Sequence, residues 1–273
     1  MNIRDPHRFS NELEHDVVQR IIARLESRAK DEVFTRLFDR YAQHIELDDS
    51  SRVLDLGCGT GVIARSLARK PNFSGRIVGV DQSEAFIEAA RRFSADEQVG
   101  ECVEFLVCDG HCLDLEDASF DVAIAHTLIS HVSDPATVVQ ELARVVRPGG
   151  TVVIFDGDYS SLTYAVPDHE FGRRMDFAFA HASFNNPHIM RDLVRMLPDY
   201  GFGVVTTLAD VVSEIGTASY FASFADTYAP LVVSSGLMAQ HELDHWLHLI
   251  ERAKDDNTFF AACNYYAYIL ERF

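Results

Sequence analysis

Arg52-Val53-Leu54-Asp55-Leu56-Gly57-Cys58-Gly59-Thr60-Gly61 is the stretch that decides how this chain is read. Residues 52–56 form a short, nearly all-apolar run that reads as a strand. The Gly-x-Gly-x-Gly after it requires a tight turn, and Val62-Ile63-Ala64-Arg65-Ser66-Leu67-Ala68 continues at helical spacing. Glycines in such a turn let the backbone approach a ligand, and a helix start offers free N–H groups. About twenty residues further on, Asp81 closes a second apolar run, Arg76-Ile77-Val78-Gly79-Val80. That is where an acid must stand to accept hydrogen bonds from both hydroxyls of a ribose. Turn and acid together predict a ligand containing an adenosine.

Outward from this unit the same alternation repeats. Ser83 caps a helix running to residue 93, and residues 103–108 form a third strand ending at Asp109. Residues 120–125 form a fourth, ending at His126; Asp134-Pro135 supplies an N-cap and a first-turn proline to the next helix. Pro148-Gly149-Gly150 breaks that helix before a fifth strand, 151–155, which ends at Asp156. Strand and helix in alternation predict a doubly wound parallel sheet, an α/β fold, whose ligands bind beyond the carboxyl ends of the strands. Asp55, Asp81, Asp109, His126 and Asp156 all fall on that rim.

On the amino side, residues 11–45 read as two helices. His15, Val18, Ile22 and Leu25 share a face of the first; Phe34, Leu37, Phe38 and Tyr41 share a face of the second, which Asp31 caps. Standing before the nucleotide strand, residues 1–50 are placed to fold back as a lid, from which Arg28 and Arg36 could reach a ligand carboxylate. On the carboxyl side the rhythm changes. Residues 157–185 are rich in Tyr, Phe and His without a clear period and read as an insertion over the site. Asn186-Pro187 opens a helix ending near Pro198; a strand is expected over 203–211, helix over 217–252 with an aromatic stripe of Tyr220, Phe221, Phe224 and Tyr228, and a buried last strand over 259–270. The expected organisation is one domain, 1–273: a lid at 1–50, a core at 51–156, and cap insertions at 157–202 and 213–256.

The 273 residues are 47% hydrophobic, enough for one α/β domain with a sizeable core. The net charge of -18 repels nucleic acid and anionic membrane surfaces, and no run of Lys/Arg offsets it. Neither a secretory h-region nor a membrane-spanning apolar run is seen. Five scattered cysteines suit reduced thiols and a cytoplasmic location. Cys108-Asp109-Gly110-His111-Cys112 lacks the usual zinc spacing, so no metal is expected. The partners expected are a small-molecule acceptor and, at most, a second copy in a homodimer.

On these motifs the chain resembles the class I S-adenosylmethionine-dependent methyltransferases, in particular the small-molecule enzymes related to quinone biosynthesis. The resemblance rests on Asp55-Leu56-Gly57-Cys58-Gly59-Thr60-Gly61, on Asp81, and on Arg144-Val145-Val146-Arg147-Pro148-Gly149-Gly150, and continues through 191–197 and Gly201-Phe202. A dinucleotide dehydrogenase would want its third glycine where Val62 stands. The resemblance implies a Rossmann-like seven-stranded sheet, its last strand antiparallel, under a helical and aromatic cap. It also implies S-adenosylmethionine as cofactor. Gly57, Cys58, Gly59, Thr60 and Gly61 would line its methionine part and Asp55 orient its ammonium; Asp81 would hold the ribose, with Gln82, Asp109 and Gly110 around the adenine. The His126 carbonyl, beside Thr127, would meet the ammonium. His126-Thr127-Leu128-Ile129 is not the Pro-Pro-aromatic of adenine-amino methyltransferases, and no Pro-Cys nucleophile of a cytosine-C5 enzyme occurs.

In-line methyl transfer needs an oriented acceptor and, for a hydroxyl or activated carbon, a base. Candidates are His126, His131, Asp158 and Tyr159. Three other readings compete. The same fold could bind the cofactor and catalyse a cyclisation or rearrangement, or bind it without turnover. His241-Glu242-Leu243-Asp244-His245 satisfies His-Glu-x-x-His, a zinc hydrolase pattern when two imidazoles share a helix face.

Overall fold

The computed structural model describes residues 15–70 and 73–273. Seven strands, β1 (Arg52–Leu56), β2 (Arg76–Asp81), β3 (Val103–Val107), β4 (Phe120–His126), β5 (Val146–Tyr164), β6 (Phe202–Gly216) and β7 (Phe259–Arg272), form one sheet in the order β3-β2-β1-β4-β5-β7-β6. β1 to β5 pair in parallel, and β7 runs antiparallel between β5 and β6. The order reverses between β1 and β4, so the two chain crossovers diverge there and leave a crevice at the carboxyl ends.

Local chemistry fixes the helices. Asp31 accepts from the Val33 amide to start α2 (Glu32–Ala42), and Ser83 accepts from Phe86 to start α4 (Glu84–Asp96). Asp134 caps α5 (Pro135–Val145), whose first residue is the proline. α1 (His15–Ala29) buries Val18, Ile21 and Ile22 against Phe86 and Ala89 of α4, which carries the opposite side of α1 over the crevice; His15, expected on the buried face, is exposed. α3 (Val62–Ala68) follows the glycine turn. Residues 11–14, expected to begin the first helix, lie outside the described residues.

Beyond Phe155 the structure departs from expectation: both β5 and β6 are longer, and the helix expected over 217–252 is two helices. β5 does not stop at Phe155 but continues to Tyr164, because the 14 residues of β7 offer it a partner along that length. Residues 157–164, expected in an insertion, are therefore sheet, and β6 extends through 213–216. Beyond β5 come α6 (His169–Ser183) and α7 (Ile189–Met196); after β6 come α8 (Tyr220–Ser234) and α9 (Gln240–Asp255). α6, α8 and α9 enclose Trp246, Tyr164, Phe179 and Phe221 in a continuous core beneath the roof of the crevice. No described helix is long and apolar enough to cross a membrane.

Candidate active site

The crevice holds a cavity of about 430 Å³. Its floor is the turn after β1. Gly57, Gly59 and Gly61 have φ of +70°, +54° and +77°, and a Cβ on Gly57 or Gly61 would come within 2.6 Å of Leu128 or Phe105. Only glycine fits both demands. The Gly57 and Cys58 amides donate to the Val80 carbonyl (2.7 and 2.9 Å), and Gly59 N–H donates to Asp81 Oδ2 (2.9 Å). Asp55 Oδ2 accepts from Ala64 N–H at 3.0 Å, pinning the start of α3 to β1.

Two acids on this rim are poised. Burial pushes the Asp55 carboxyl up to about 7, against its bond from Ala64 and with a contribution from Asp81. Burial also raises Asp81, although the amides of Ser83, Gly59 and Gln82 all favour its charged form. A cationic ligand beside them would favour the ionised form of both. Asp109 sits at the more exposed end of the cavity; the backbone N–H and ring of His111 outweigh its partial burial and hold it below the usual carboxylate range. Gln82 and Gly110 complete this wall.

The opposite wall comes from β4 and the lid. His126 stacks on Phe155, with centroids 4.6 Å apart, and its Nδ1 lies 2.9 Å from the Tyr41 hydroxyl. Burial, then the nearby Arg28 charge, lowers the ring well below its ordinary value, so it is neutral at pH 7. Thr127 has a φ of +53°, a left-handed conformation that costs a β-branched residue energy. In that conformation its Oγ1 accepts from Arg28 Nη2 at 2.9 Å. A second lid contact joins the turn itself: Thr60 Oγ1 donates to Glu26 (2.6 Å), which also pairs with Arg65.

The roof is aromatic. Tyr159 lies flat on Phe184 (centroids 3.4 Å apart, planes within 9°), and Phe184 continues to Phe224 and Tyr228 of α8. His131 packs on Phe184 at 5.0 Å and lies near Asp81 and Asp156, whose ionisation it favours. Carboxylates over a glycine turn at one wall, and a ring-lined chamber with two imidazoles at the other, can hold a cation-bearing nucleoside beside a flat molecule.

The cavity brings together Asp55, Gly57, Cys58, Gly59, Thr60, Asp81, Gln82, Asp109, Gly110, His126, Thr127, His131, Tyr159 and Arg28. Three expected residues, Arg36, Asp158 and Gly61, do not line it. Arg36 is exposed, because α2 turns Phe34, Leu37, Phe38 and Tyr41 inward and the 100° step puts Arg36 on the other side. Asp158 is buried 1% exposed within the extended β5, outside the cavity, where it accepts from Ser160 and pairs with Arg191 at 2.7 Å. Gly61 supports the turn from below, against Phe105 and Ala90. His241 and His245 are exposed on α9, and Glu242 is committed to the Ala239 amide and Arg174. Among the described residues no three His, Cys, Asp or Glu side chains could hold a metal ion.

Sequence reasoning missed Arg24, Glu26 and Tyr41 as parts of the site. Tyr41 was visible only as a packing residue of α2. Arg24 and Glu26 lie on α1 beside Arg28, at spacings that a fold-back lid would turn inward, but their partners Tyr228 and Thr60 are remote in sequence.

Residues 54–154 match the family model described as "Methyltransferase domain". The chain is 35% identical over 225 residues to an uncharacterized 37.1 kDa protein in transposon TN4556 of Streptomyces fradiae, a match covering 80% of this chain and 61% of that one. It is 36% identical to 27-O-demethylrifamycin SV methyltransferase of Amycolatopsis mediterranei over 48% of this chain and 47% of that protein. The chain thus spans about half to three-fifths of the length of these relatives. Among solved structures, that of the 4+2 cyclase SpnF shares the fold, with a TM-score of 0.58 at 21% identity over 89% of this chain and 84% of that one. Residues 54–154, which carry the glycine turn and the acidic rim, are thus similar to the methyltransferase domain of the class I S-adenosylmethionine-dependent enzymes.

Proposed function

We propose that the chain transfers a methyl group from S-adenosylmethionine to a small, flat, largely apolar acceptor. One observation carries this reading: a single cavity joins the acidic rim and glycine turn to the aromatic chamber. The donor set fits the cofactor. Asp81 accepts from the ribose hydroxyls with the lone pairs its backbone partners leave, and Gln82, Asp109 and Gly110 surround the adenine. Asp55 and the His126 carbonyl face the ammonium, and Arg28 with Thr127 meets the carboxylate. The side chain of Thr60 is engaged by Glu26, so that residue contributes backbone alone. When bound, the cofactor supplies a methyl group on a sulfonium, already an excellent leaving group.

The chain's own part is placement. Holding the acceptor in line is worth about 7–11 kcal/mol, and a base adds roughly 10²–10⁴-fold. His131 serves as that base for a hydroxyl or activated-carbon acceptor, since it faces the cavity between the acids and Phe184. Tyr159 supports the acceptor's ring. Incubation with deuteromethyl-labelled cofactor and candidate aromatic acceptors, read by mass spectrometry, tests the proposal. Product bearing the label is expected. Product without label indicates a cyclisation or rearrangement, and would overturn methyl transfer.

A further inference from the structure

Arg24 stands on α1 among the rings that line the cavity. Its guanidinium carbon lies 5.0, 5.3 and 5.6 Å from the ring centroids of Tyr228, Phe224 and Tyr220. Nη1 donates to the Tyr228 hydroxyl at 2.9 Å, while Nε is shut off from solvent and has no partner. A guanidinium has five N–H donors and is always charged. Among the described residues no carboxylate pairs with it, in a chain holding 42 acids. Arg65 shows how the same protein treats a buried guanidinium that only supports structure. Its Nε is likewise bare, but Glu26 and Glu97 balance its charge.

Removing a charge from water is costly unless it is paired. The three rings lie within 6 Å of the Arg24 guanidinium and attract it, each worth about 0.5–2 kcal/mol, yet beyond the Tyr228 hydroxyl they offer its N–H groups no acceptor. The terminal Nη1 and Nη2 groups form a fork that a planar carboxylate matches end-on with two parallel hydrogen bonds. We infer that Arg24 receives a carboxylate carried by the methyl acceptor, an aromatic acid whose ring lies among Phe184, Tyr220 and Phe224. The inference rests on the methyltransferase reading and narrows its substrate class. A phosphate or diphosphate ester fits poorly: it brings two or more charges, and the other arginine of the cavity, Arg28, is held at Thr127. A purely mechanical role, tying the lid to α8 through Tyr228, would give no preference between an acid and its amide.

The test uses the full chain saturated with S-adenosylhomocysteine. Calorimetry compares benzoate, cinnamate and 2-naphthoate with their carboxamides and with phenyl phosphate. At least one carboxylate is expected to bind ten- to a hundredfold more tightly than its amide, the range for a hydrogen bond to a charged group. Arg24→Gln should erase that preference and Arg24→Lys retain part of it, with S-adenosylhomocysteine affinity within threefold of the original. Several results overturn the inference: no acid preferred over its amide, phenyl phosphate preferred over the acids, a preference surviving Arg24→Gln, or an equal loss of S-adenosylhomocysteine binding in that variant. If Arg24→Gln does not fold, the acid–amide comparison on the unaltered chain decides alone. Failure of S-adenosylhomocysteine to bind the unaltered chain sinks the cofactor reading as well; binding without acid preference sinks only this one.

Discussion

The hydroxyl of Tyr41 lies 2.9 Å from Nδ1 of His126, and both rings pack on Phe155. Tyr41 is fully buried and its hydroxyl is pushed far above its ordinary range, first by burial and then by Asp55, so it keeps its proton. A phenol donates more readily than it accepts, which assigns the ring proton of neutral His126 to Nε2. His126 then offers the cavity a donor, not a base, leaving proton abstraction to His131.

Nitrogen-15 NMR should therefore find His126 neutral at pH 7, as the Nε2–H tautomer, with its midpoint shifted below the ordinary value near 6.5. Below about 6.5 the unfolded chain takes up a proton that the folded ring refuses, so this residue's contribution to stability is lost as pH falls. A His126 midpoint at or above 6.5 would contradict the assignment.

Asp81 carries the second prediction. Because it accepts from the Gly59 and Ser83 amides, Asp81→Ala would break the turn as well as any ligand contact. Asp81→Asn is the cleaner change, since its amide oxygen still accepts from the backbone while the charge is gone. Cofactor affinity should fall by about 1.5–3 kcal/mol, a loss of one charge-assisted interaction. Calorimetry with S-adenosylhomocysteine measures it, and unchanged affinity would remove Asp81 from the ribose site.

Much of this rim was legible from residues 52–155. Buried parallel strands leave continuous apolar runs, glycines mark the turn that needs left-handed backbone, and each strand ends on a polar residue. What lay beyond was hidden for physical reasons. The extension of β5 is buried on both faces over Asp156–Tyr159, and only the short run Ser161–Tyr164 alternates, too brief to mark it as strand. α6 buries Gly172, Met175, Ala178, Phe179, Ala180 and Ala182 on a face too broad to show a helical stripe. Arg36 was a candidate equal to Arg28 until the orientation of α2 separated them. For Arg24 the helical spacing to Arg28 was the one hint, and its partner Tyr228, 204 residues away, gave none.

Asp55 couples folding to pH. Its folded carboxyl titrates near 7 and its unfolded one near 3.9, so between those values the folded chain holds a proton that the unfolded chain has lost. Stability of the ligand-free protein therefore falls as pH rises from about 4 to 7 and is lowest, for this group, above 7. Asp55→Asn keeps the acceptor for Ala64 and abolishes the effect. Thermal melts at pH 8 should show the variant more stable by about 2–4 kcal/mol, with the difference vanishing near pH 4. A sulfonium and an ammonium favour the ionised acid, so binding of S-adenosylmethionine to the unaltered chain at pH 6.5 should release protons, read by calorimetry in buffers of different ionisation heat.

At Asp158 a structural role and a catalytic one predict different losses. The carboxylate is 1% exposed while its partner Arg191 is 54% exposed, an asymmetric pair. Arg191→Ala strands a buried charge and should cost about 3–5 kcal/mol, whereas Asp158→Asn removes that charge, keeps the acceptor for Ser160 and leaves Arg191 to water, at a cost of about 1 kcal/mol. Denaturant unfolding measures both. Because the Asp158 side chain lies outside the cavity, methyl transfer per folded molecule should be unchanged within about twofold in Asp158→Asn, far short of the 10²–10⁴-fold that removing a general base would take away. A loss on that larger scale would return Asp158 to the reacting centre.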